Sequence, residues 1–263
     1  MTEPDVPTGV TPTPKPASPL SRIFTQANVT LGLAVFAVIL AGAPYLVPQV
    51  QSFVVEKGLL NRPTMLALAQ TRLETQTAEA AAIEATMAIK AHHDSIFNDK
   101  DDPVIGNPHG QIKVAEFLDY LCAYCRAATP EVQAFLAQNP DVTLVVKEYP
   151  VIHPPASQTL AAYGIAASKG GHYEAVHYAL LTEKIETQSQ MDAILTKAQL
   201  DPRQVEVTAK AQATLDQINK TLKLGENLKI NGTPTFIVGD KMVTGLAGLS
   251  QAVQAERAKL KKS

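Results

Sequence analysis

The stretch EFLDYLCAYCRAATPEVQ, residues 116–133, contains the only two cysteines of a 263-residue chain, Cys122 and Cys125. The residues before Cys122 have the apolar pattern of a buried strand, and those after it have the pattern of a helix that ends before Pro140. A second apolar run rich in valine, DVTLVVKEYPVI at 141–152, predicts another strand. The stretch therefore predicts a β-α-β unit with Cys122 where strand passes into helix.

The position of Cys122 favours redox chemistry. Backbone N–H groups at the start of a helix are unpaired and the helix dipole is positive there, which favours thiolate over thiol. Cys125 lies one helical turn later, where it is placed to resolve a mixed disulfide by intramolecular attack. The sequence thus predicts a redox-active Cys122–Cys125 disulfide with no separate cofactor.

Two other uses of the cysteine pair are weaker. A structural disulfide between residues three apart closes a very short loop, so it restricts the unfolded chain little. A zinc site needs further ligands, and His172 and His177 have a suitable spacing. These histidines are far from the cysteines in sequence and lie in a helical pattern, HYEAVHYALL, so we predict no metal site.

Composition limits the classes of function. The chain is 46% hydrophobic and 18% charged, which is typical of a globular protein, and its net charge of -2 gives no reason to expect a nucleic-acid partner. No glycine-rich phosphate loop and no haem-attachment CxxCH motif is present in the sequence, so nucleotide, flavin and haem sites are not predicted.

The N-terminal quarter predicts a membrane anchor. Residues 1–22 are rich in proline and polar residues and predict a disordered tail. Residues 23–50 contain no charged side chain and are long enough to cross a bilayer, so they predict a transmembrane helix. The alternative is a cleavable signal peptide, for which Ala41-Gly42-Ala43 resembles a cleavage site. The long polar segment ahead of the helix and Pro44 directly after that triplet favour a retained anchor.

Residues 51–98 predict a helical stalk, because residues 63–97 are rich in alanine, leucine, glutamine and glutamate. Apolar residues recur every seven positions, which indicates homo-oligomerisation through 63–97. A helix that lies on its own domain, or that spaces the domain from the bilayer, explains the same pattern, and both interpretations stay open. The residues of the repeat are Leu66, Leu73, Ala80 and Met87, with Ala69 and Ile83 between them.

Residues 99–263 predict the main domain. A proline- and glycine-containing stretch at 101–110 reads as its entry linker, and residues about 156–224 predict an insertion of three or four helices. Two short strands around Gly239-Asp240 and a terminal helix complete the domain. This order of elements predicts an α/β fold of the thioredoxin-like type with an inserted helical domain, preceded by the transmembrane helix and the stalk.

Several motifs resemble those of one family. EFLDYLCAYC at 116–125, KEYPVI at 147–152 and GTPTF at 232–236 resemble the DsbA-like thiol-disulfide oxidoreductases of the bacterial cell envelope, a branch of the thioredoxin superfamily. DPVIGNPHG at 102–110 is also similar to the usual entry to that domain. The resemblance covers roughly residues 95–260 and implies that the chain is an enzyme.

The resemblance also implies roles for particular residues. Cys122 matches the exposed nucleophile, Cys125 matches its partner, and Pro234 after Thr233 matches the cis proline beside the disulfide. Glu116 matches a buried acid beneath the CxxC motif and Lys147 a lysine near it, which makes both candidates for moving protons at Cys125. A structural buried ion pair is the alternative for these last two.

Two departures leave the direction of the chemistry open. The dipeptide between the cysteines is Ala123-Tyr124, which lacks the histidine of the strongest oxidases, and Thr233 resembles the residue found in isomerase and reductase relatives. Oxidase and isomerase or reductase therefore both remain possible interpretations.

The resemblance implies a location and partners, because such a redox couple needs an oxidising compartment. It implies a single-pass protein of the bacterial inner membrane with the catalytic domain in the periplasm. The expected partners are cysteine-containing envelope proteins as substrates and a membrane redox partner that resets the CxxC motif. An anchored chaperone or binding module on a thioredoxin-like scaffold is the alternative.

Overall fold

The computed structural model describes residues 31–39, 41, 52, 57 and 63–262. The predicted tail at 1–22 and much of the predicted transmembrane helix at 23–50 lie outside these residues, although residues 31–39 are helical. Within the part of the chain that is described, no helix is both long enough and apolar enough to cross a membrane. The chain divides into two compact units, Met1–Gln76 and Thr77–Ser263.

The predicted stalk helix is present with one break. Helix α1 spans Pro63–Ala91, and α2, His93–Phe97, follows directly. The leucine and methionine positions of the seven-residue repeat are exposed, but Ile89, Ile96 and Phe97 are buried in the core of the second unit. Burial of these three side chains, at about 1.5–3 kcal/mol each, ties the end of α1 and α2 to the second unit, which begins at Thr77, ahead of the boundary expected at residue 99.

A five-stranded sheet forms the centre of the second unit, in the order β1-β3-β2-β4-β5. Strands β2 and β3 are parallel and are joined by helix α3, which confirms the β-α-β prediction, while the other neighbours are antiparallel. The elements are β1 Val104–Gly106, β2 Ile112–Leu118, α3 Ala123–Gln138, β3 Val142–Glu148, β4 Thr235–Val238 and β5 Lys241–Val243.

Strand β1 corrects the sequence interpretation of residues 101–110 as a linker. Val104 pairs with Val145 and Gly106 with Thr143, so this stretch forms an edge strand. Its prolines, Pro103 and Pro108, lie outside the three paired residues, where a missing N–H does not interrupt the ladder.

The inserted helical block contains five helices rather than three or four. The run expected as a single helix near its end divides, because Ala211 has an extended backbone with φ -67° and ψ 142°. The helices are α4 Ala156–Lys169, α5 Tyr173–Thr182, α6 Gln188–Lys197, α7 Pro202–Ala209 and α8 Gln212–Asn227, and the terminal helix α9 spans Gly245–Leu260.

The two faces of the sheet carry separate cores. Val114, Leu118 and Val146 point to the face that also holds both cysteines, which we call the CxxC face. Ala115, Phe117 and other side chains at alternate positions point to the opposite face, where α1, α2 and the end of α8 pack. This alternation follows from the two-residue period of a strand, and it decides which buried charges meet the cysteines.

Candidate active site

The loop after β2 fixes the position of Cys122. The carboxylate of Asp119 accepts hydrogen bonds from the N–H of Leu121 and the N–H of Ile152, both at 2.8 Å. The N–H of Cys122 donates to the carbonyl of Asp119 at 3.0 Å. Cys122 is the N-cap of α3 with φ -74° and ψ 119°, so its sulfur lies at the start of the helix, as the sequence predicts.

The two cysteines are adjacent and both are free thiols. The residues approach each other to within 3.7 Å. Burial, followed by the neighbouring Cys122 and Glu116, raises the pKa of the Cys125 thiol. The resemblance implies an exposed Cys122, but Cys122 is 4% exposed and Cys125 3%. The physical reason is the segment at 233–234, whose Thr233 carbonyl accepts a hydrogen bond from Cys122 Sγ at 3.2 Å.

The segment Thr233-Pro234 lies beside the thiols and its peptide bond is cis, as the resemblance implies. The Thr233 hydroxyl is buried and has no hydrogen-bond partner among the described residues. A second cis peptide, Pro154-Pro155, was not predicted from the sequence. The contact of Thr233 with Cys122 is made by its backbone carbonyl and not by its hydroxyl.

A groove of about 440 Å³ opens beside this segment. Its lining combines residues of α3 with the loops before β4 and α9. Tyr124, between the two cysteines, is 77% exposed and forms one wall. The lining includes Ala128, Glu131, Gly232, Pro234 and Leu246.

Glu116 lies on β2 and points to the CxxC face, where the resemblance places a buried acid. It pairs in register with Val146, a member of the same core as the cysteines. Burial raises the pKa of its carboxyl to about 8. Its charge also acts on Cys125, so the structure brings these two groups together.

Lys147 does not join this group. It pairs in register with Phe117 and therefore points to the opposite face, where its ammonium contacts the carboxylate of Asp102 and the carbonyl of Ser95. Burial lowers the pKa of Lys147 and raises that of Asp102 to about 6. The prediction that Lys147 moves protons at Cys125 is wrong, because a strand turns neighbouring side chains to opposite faces. The alternative of a buried ion pair holds for Lys147 alone, with Asp102 as its partner, since Glu116 lies on the other face.

The next residue, Glu148, is the buried acid that sequence reasoning missed. It pairs in register with Leu118, points to the CxxC face, and accepts hydrogen bonds from the hydroxyls of Tyr120 at 2.6 Å and Tyr173 at 2.7 Å. Burial raises the pKa of Glu148 to about 8. The signal was present in the sequence, because Val142, Leu144 and Val146 set the parity of the strand and Glu148 continues it.

Similarity to known proteins assigns the chain to a family. The family model described as Thioredoxin matches residues 98–255, which is more than half of the chain. The chain belongs to the thioredoxin family. A similar solved structure of a thioredoxin-like oxidoreductase from Silicibacter pomeroyi DSS-3 is 37% identical, with a TM-score of 0.59, and the alignment covers 63% of this chain and 97% of that one.

The chain is also similar to two curated proteins with different descriptions. The thiol:disulfide interchange protein DsbA of Bordetella parapertussis is 25% identical over 185 residues, covering 68% of this chain and 88% of the relative. The Na(+)/H(+) antiporter NhaA 3 of Salinispora tropica is 26% identical over 160 residues, but this chain spans 24% of the antiporter's length. Together with the family match, these findings identify a DsbA-like oxidoreductase of the thioredoxin superfamily.

Proposed function

We propose that the protein is a membrane-anchored periplasmic thiol-disulfide oxidoreductase that acts on cysteines of cell-envelope proteins. The observation that carries the proposal is the position of Cys122 at the N-terminus of α3. Its thiol is hydrogen-bonded to the Thr233 carbonyl, and Cys125 is buried beside it. A thiol at a helix N-terminus is activated for exchange, and a second thiol within reach completes a two-electron couple.

The exchange consists of two successive displacements at sulfur. In the oxidising direction a substrate thiolate attacks Cys122 Sγ, the Cys122–Cys125 bond breaks, and Cys125 leaves as a thiolate that takes a proton from Glu116. A second substrate thiolate then attacks the substrate sulfur of the mixed disulfide and releases Cys122. The substrate loses two electrons and forms a disulfide; the released Cys122 thiolate and the Glu116 carboxylate each regain a proton from solvent, which leaves the protein as a dithiol. The reductase direction is the reverse, with Cys125 as the resolving thiol.

The groove beside Thr233-Pro234 supports a peptide substrate. Residues 231–235 line it beside the thiols, and a backbone segment next to a reactive sulfur is the kind of surface on which an extended peptide can add as a strand. The exposed ring of Tyr124 offers an apolar contact next to the reacting sulfur. We therefore assign substrate binding to this groove.

Substitution of the cysteines tests the proposal. We expect Cys122→Ser to lose exchange activity on a model peptide disulfide, whereas Cys125→Ser accumulates a mixed disulfide that is visible on a non-reducing gel. Full exchange activity in Cys122→Ser would overturn the assignment. If a variant with both cysteines replaced by serine still binds unfolded substrate and exchange is absent in the wild type, the chain is an anchored chaperone or binding module.

Oxidase and isomerase or reductase roles are separated by the reduction potential of Cys122–Cys125, measured by equilibration with glutathione. A potential near about -120 mV is typical of a disulfide donor, and one near about -200 mV or below favours the other role. Because Tyr124 adds no positive charge beside the thiols, we expect the lower value.

The membrane placement is supported by the uncharged run at 23–50. Anchoring predicts that the chain stays in the membrane pellet after alkaline extraction, and a periplasmic domain predicts digestion by protease added to spheroplasts. Release into the alkaline supernatant, or protection from the protease, would contradict this placement. A membrane redox partner that resets the motif is part of the same proposal.

Self-association is proposed for the seven-residue repeat of α1. Leu66, Leu73 and Met87 are more than half exposed, and a stripe of exposed apolar side chains on one helix favours pairing with another copy. We expect the full chain to be oligomeric by light scattering and the double variant Leu66→Gln with Leu73→Gln to be monomeric. Equal masses for the two proteins would refute the proposal. Ile89 and Ile96 must be left unchanged, because they belong to the core of the second unit.

A further inference from the structure

The exchange steps above do not use Glu148, although it is enclosed on the same face of the sheet as the cysteines. Its Oε1 accepts both tyrosine hydroxyls, while its Oε2 is buried with no partner among the described residues. A buried carboxyl group in which one oxygen accepts two hydrogen bonds and the other accepts none is unusual, because buried polar atoms are nearly always hydrogen-bonded. This arrangement indicates a role other than stability.

His177 completes the cluster as a neutral group. Its Nδ1 lies 3.1 Å from the Tyr120 hydroxyl and 3.0 Å from the Tyr173 hydroxyl. Each tyrosine hydroxyl uses its one O–H in a hydrogen bond to Glu148. The hydroxyl oxygens are then acceptors, so the favourable tautomer of His177 carries its hydrogen on Nδ1 and donates to them. Burial lowers the pKa of His177 to about 3, so it supplies no positive charge to the carboxyl.

Helix α4 is shaped around this cluster. A Cβ atom at Gly164 would lie 2.8 Å from both Glu148 Oε1 and the Tyr120 hydroxyl. Glycine inside a helix is unfavourable relative to alanine, so α4 loses helix stability in leaving this space. The space is therefore a feature of the site rather than a packing defect.

Glu148 and Glu116 are neighbours on the CxxC face. Glu116 is level with Val146 on β3, and Glu148 is two residues further along that strand. Ideal strand spacings put their Cα atoms about 8 Å apart, with both side chains on one face. The charge of Glu116 is among the causes that raise the pKa of Glu148, after burial, so the two groups interact.

No described cation offsets these two acids. Lys147 lies on the opposite face, and the guanidinium of Arg126 on α3 is bonded to backbone carbonyls, including those of Leu180 and Glu183. The titratable groups that face the pair are Asp119 and Tyr120 after β2, Tyr173, His177 and Tyr178 on α5, and Cys125 on α3. The surroundings therefore disfavour two ionised carboxylates, and the pair keeps at least one proton near neutral pH.

We propose that Glu148 is a positioning residue: it is the acid of the pair that ionises first, and its negative charge behind the CxxC motif then keeps on Glu116 the proton that is delivered to the departing Cys125 thiolate. Two hydroxyl donors favour the charge at Glu148, whereas no described donor is bonded to the Glu116 carboxyl. The proton moves from the Glu116 carboxyl to Cys125 Sγ as the Cys122–Cys125 bond breaks, and it returns when Cys125 attacks. This inference rests on the proposed exchange function.

Glu148→Gln is the decisive variant, because the amide oxygen keeps an acceptor for both hydroxyls while the charge is removed. We expect the pH profile of mixed-disulfide resolution to shift to lower pH by about one unit and to change from two ionisations to one. Resolution is followed in single turnovers of the full chain with a fluorescently labelled cysteine peptide, since the protein has no tryptophan of its own. In Glu148→Gln, the infrared C=O band of the protonated carboxylic acid should likewise disappear at a lower pH than it does in the wild type.

Tyr173→Phe is the milder variant and decides the matter if Glu148→Gln fails to fold. It removes one donor to the carboxylate, so we expect a smaller shift in the same direction. Asp102→Asn is the matched control, because it also converts a buried acid to an amide, on the opposite face. We expect it to lower stability and leave the pH profile in place.

The outcomes separate the two proposals. If Cys122→Ser is inactive and the folded Glu148 and Tyr173 variants both keep the wild-type pH profile, Glu148 has only a structural role and this inference is wrong. An equal shift in Asp102→Asn also overturns it, because the effect would then not be specific to the CxxC face. If Cys122→Ser is active, the exchange function itself fails.

Discussion

The two faces of the β2–β3 strand pair differ in whether their buried charged groups have a partner of opposite charge. On the face away from the cysteines, the ammonium of Lys147 contacts Asp102, whose other oxygen accepts a hydrogen bond from Gln217 at 2.8 Å. On the CxxC face, Glu116 and Glu148 are buried without a described cation beside them. Paired charge is the arrangement that a structural core tolerates, whereas unpaired titratable groups gather at functional sites.

The opposite face also has a different task. Ile89, Ile96 and Phe97 pack there, and the carbonyl of Ser95 is held by Lys147, so this face docks α2 and the end of α1 onto the sheet. The CxxC face is covered by the helices of the insertion and by α3, which carries the thiols. One face therefore stabilises the fold, and the other is the face on which we propose the proton transfer.

The largest expected effect breaks the ion pair. Lys147→Met leaves the Asp102 carboxylate buried without a counter-charge, so we expect the free energy of unfolding to fall by about 3–5 kcal/mol. The folded fraction should keep its exchange rate, because Lys147 faces away from Cys125. Urea unfolding measures the free energy of unfolding, and single-turnover kinetics measure the exchange rate.

A Lys147→Met protein that is as stable as the wild type but slow in exchange would reverse the roles assigned to the two faces. The double variant Lys147→Met with Asp102→Asn is its control, and it should recover part of the lost stability because no unpaired charge remains.

A smaller effect of opposite sign is expected from Glu116→Gln. The pKa of this group is raised from 4.5 in the unfolded chain to about 8 in the fold, so the folded state keeps a proton that the unfolded state releases. Stability is therefore lost as pH rises from about 4.5 to about 8. The amide has no such dependence, and we expect it to be about 1–3 kcal/mol more stable near pH 7.

The same variant should slow proton transfer at Cys125 by about 100-fold, since a positioned acid or base contributes about that much or more. Denaturant unfolding at a series of pH values tests the stability gain, and the resolution rate tests the transfer. A variant that is less stable at every pH, with an unchanged rate, would remove the distinction between the faces.

Much of this arrangement is predictable from local sequence. The β-α-β unit, the position of Cys122 at the helix start and the hairpin around Gly239 depend on patterns within a few residues. The cis peptide at Thr233-Pro234 was implied by the resemblance and is present. Contacts distant in sequence were harder to predict. Strand β1 is only three residues long and is defined by pairing with β3.

The choice between Lys147 and Glu148 shows why the site was harder to predict than the fold. The resemblance selected Lys147, but the face that a side chain occupies is fixed by the register of β3 against β2, which sequence similarity does not display. The partners of Glu148, Tyr120 and Tyr173, are far from it in sequence and meet it only after α5 packs on the sheet. Strand parity would have predicted its orientation, although not its partners.

Strand β1 has a consequence for how the chain responds to cutting. The loop at 108–110 begins two residues after its end at Gly106, while β1 itself is paired with β3 and Asn107 donates to the carbonyl of Pro140 at 2.7 Å. A protease that cleaves this loop would leave an N-terminal fragment still bound by strand pairing and by the packing of Ile89. Cleavage there should therefore yield two pieces that stay associated as one folded body until a denaturant separates them.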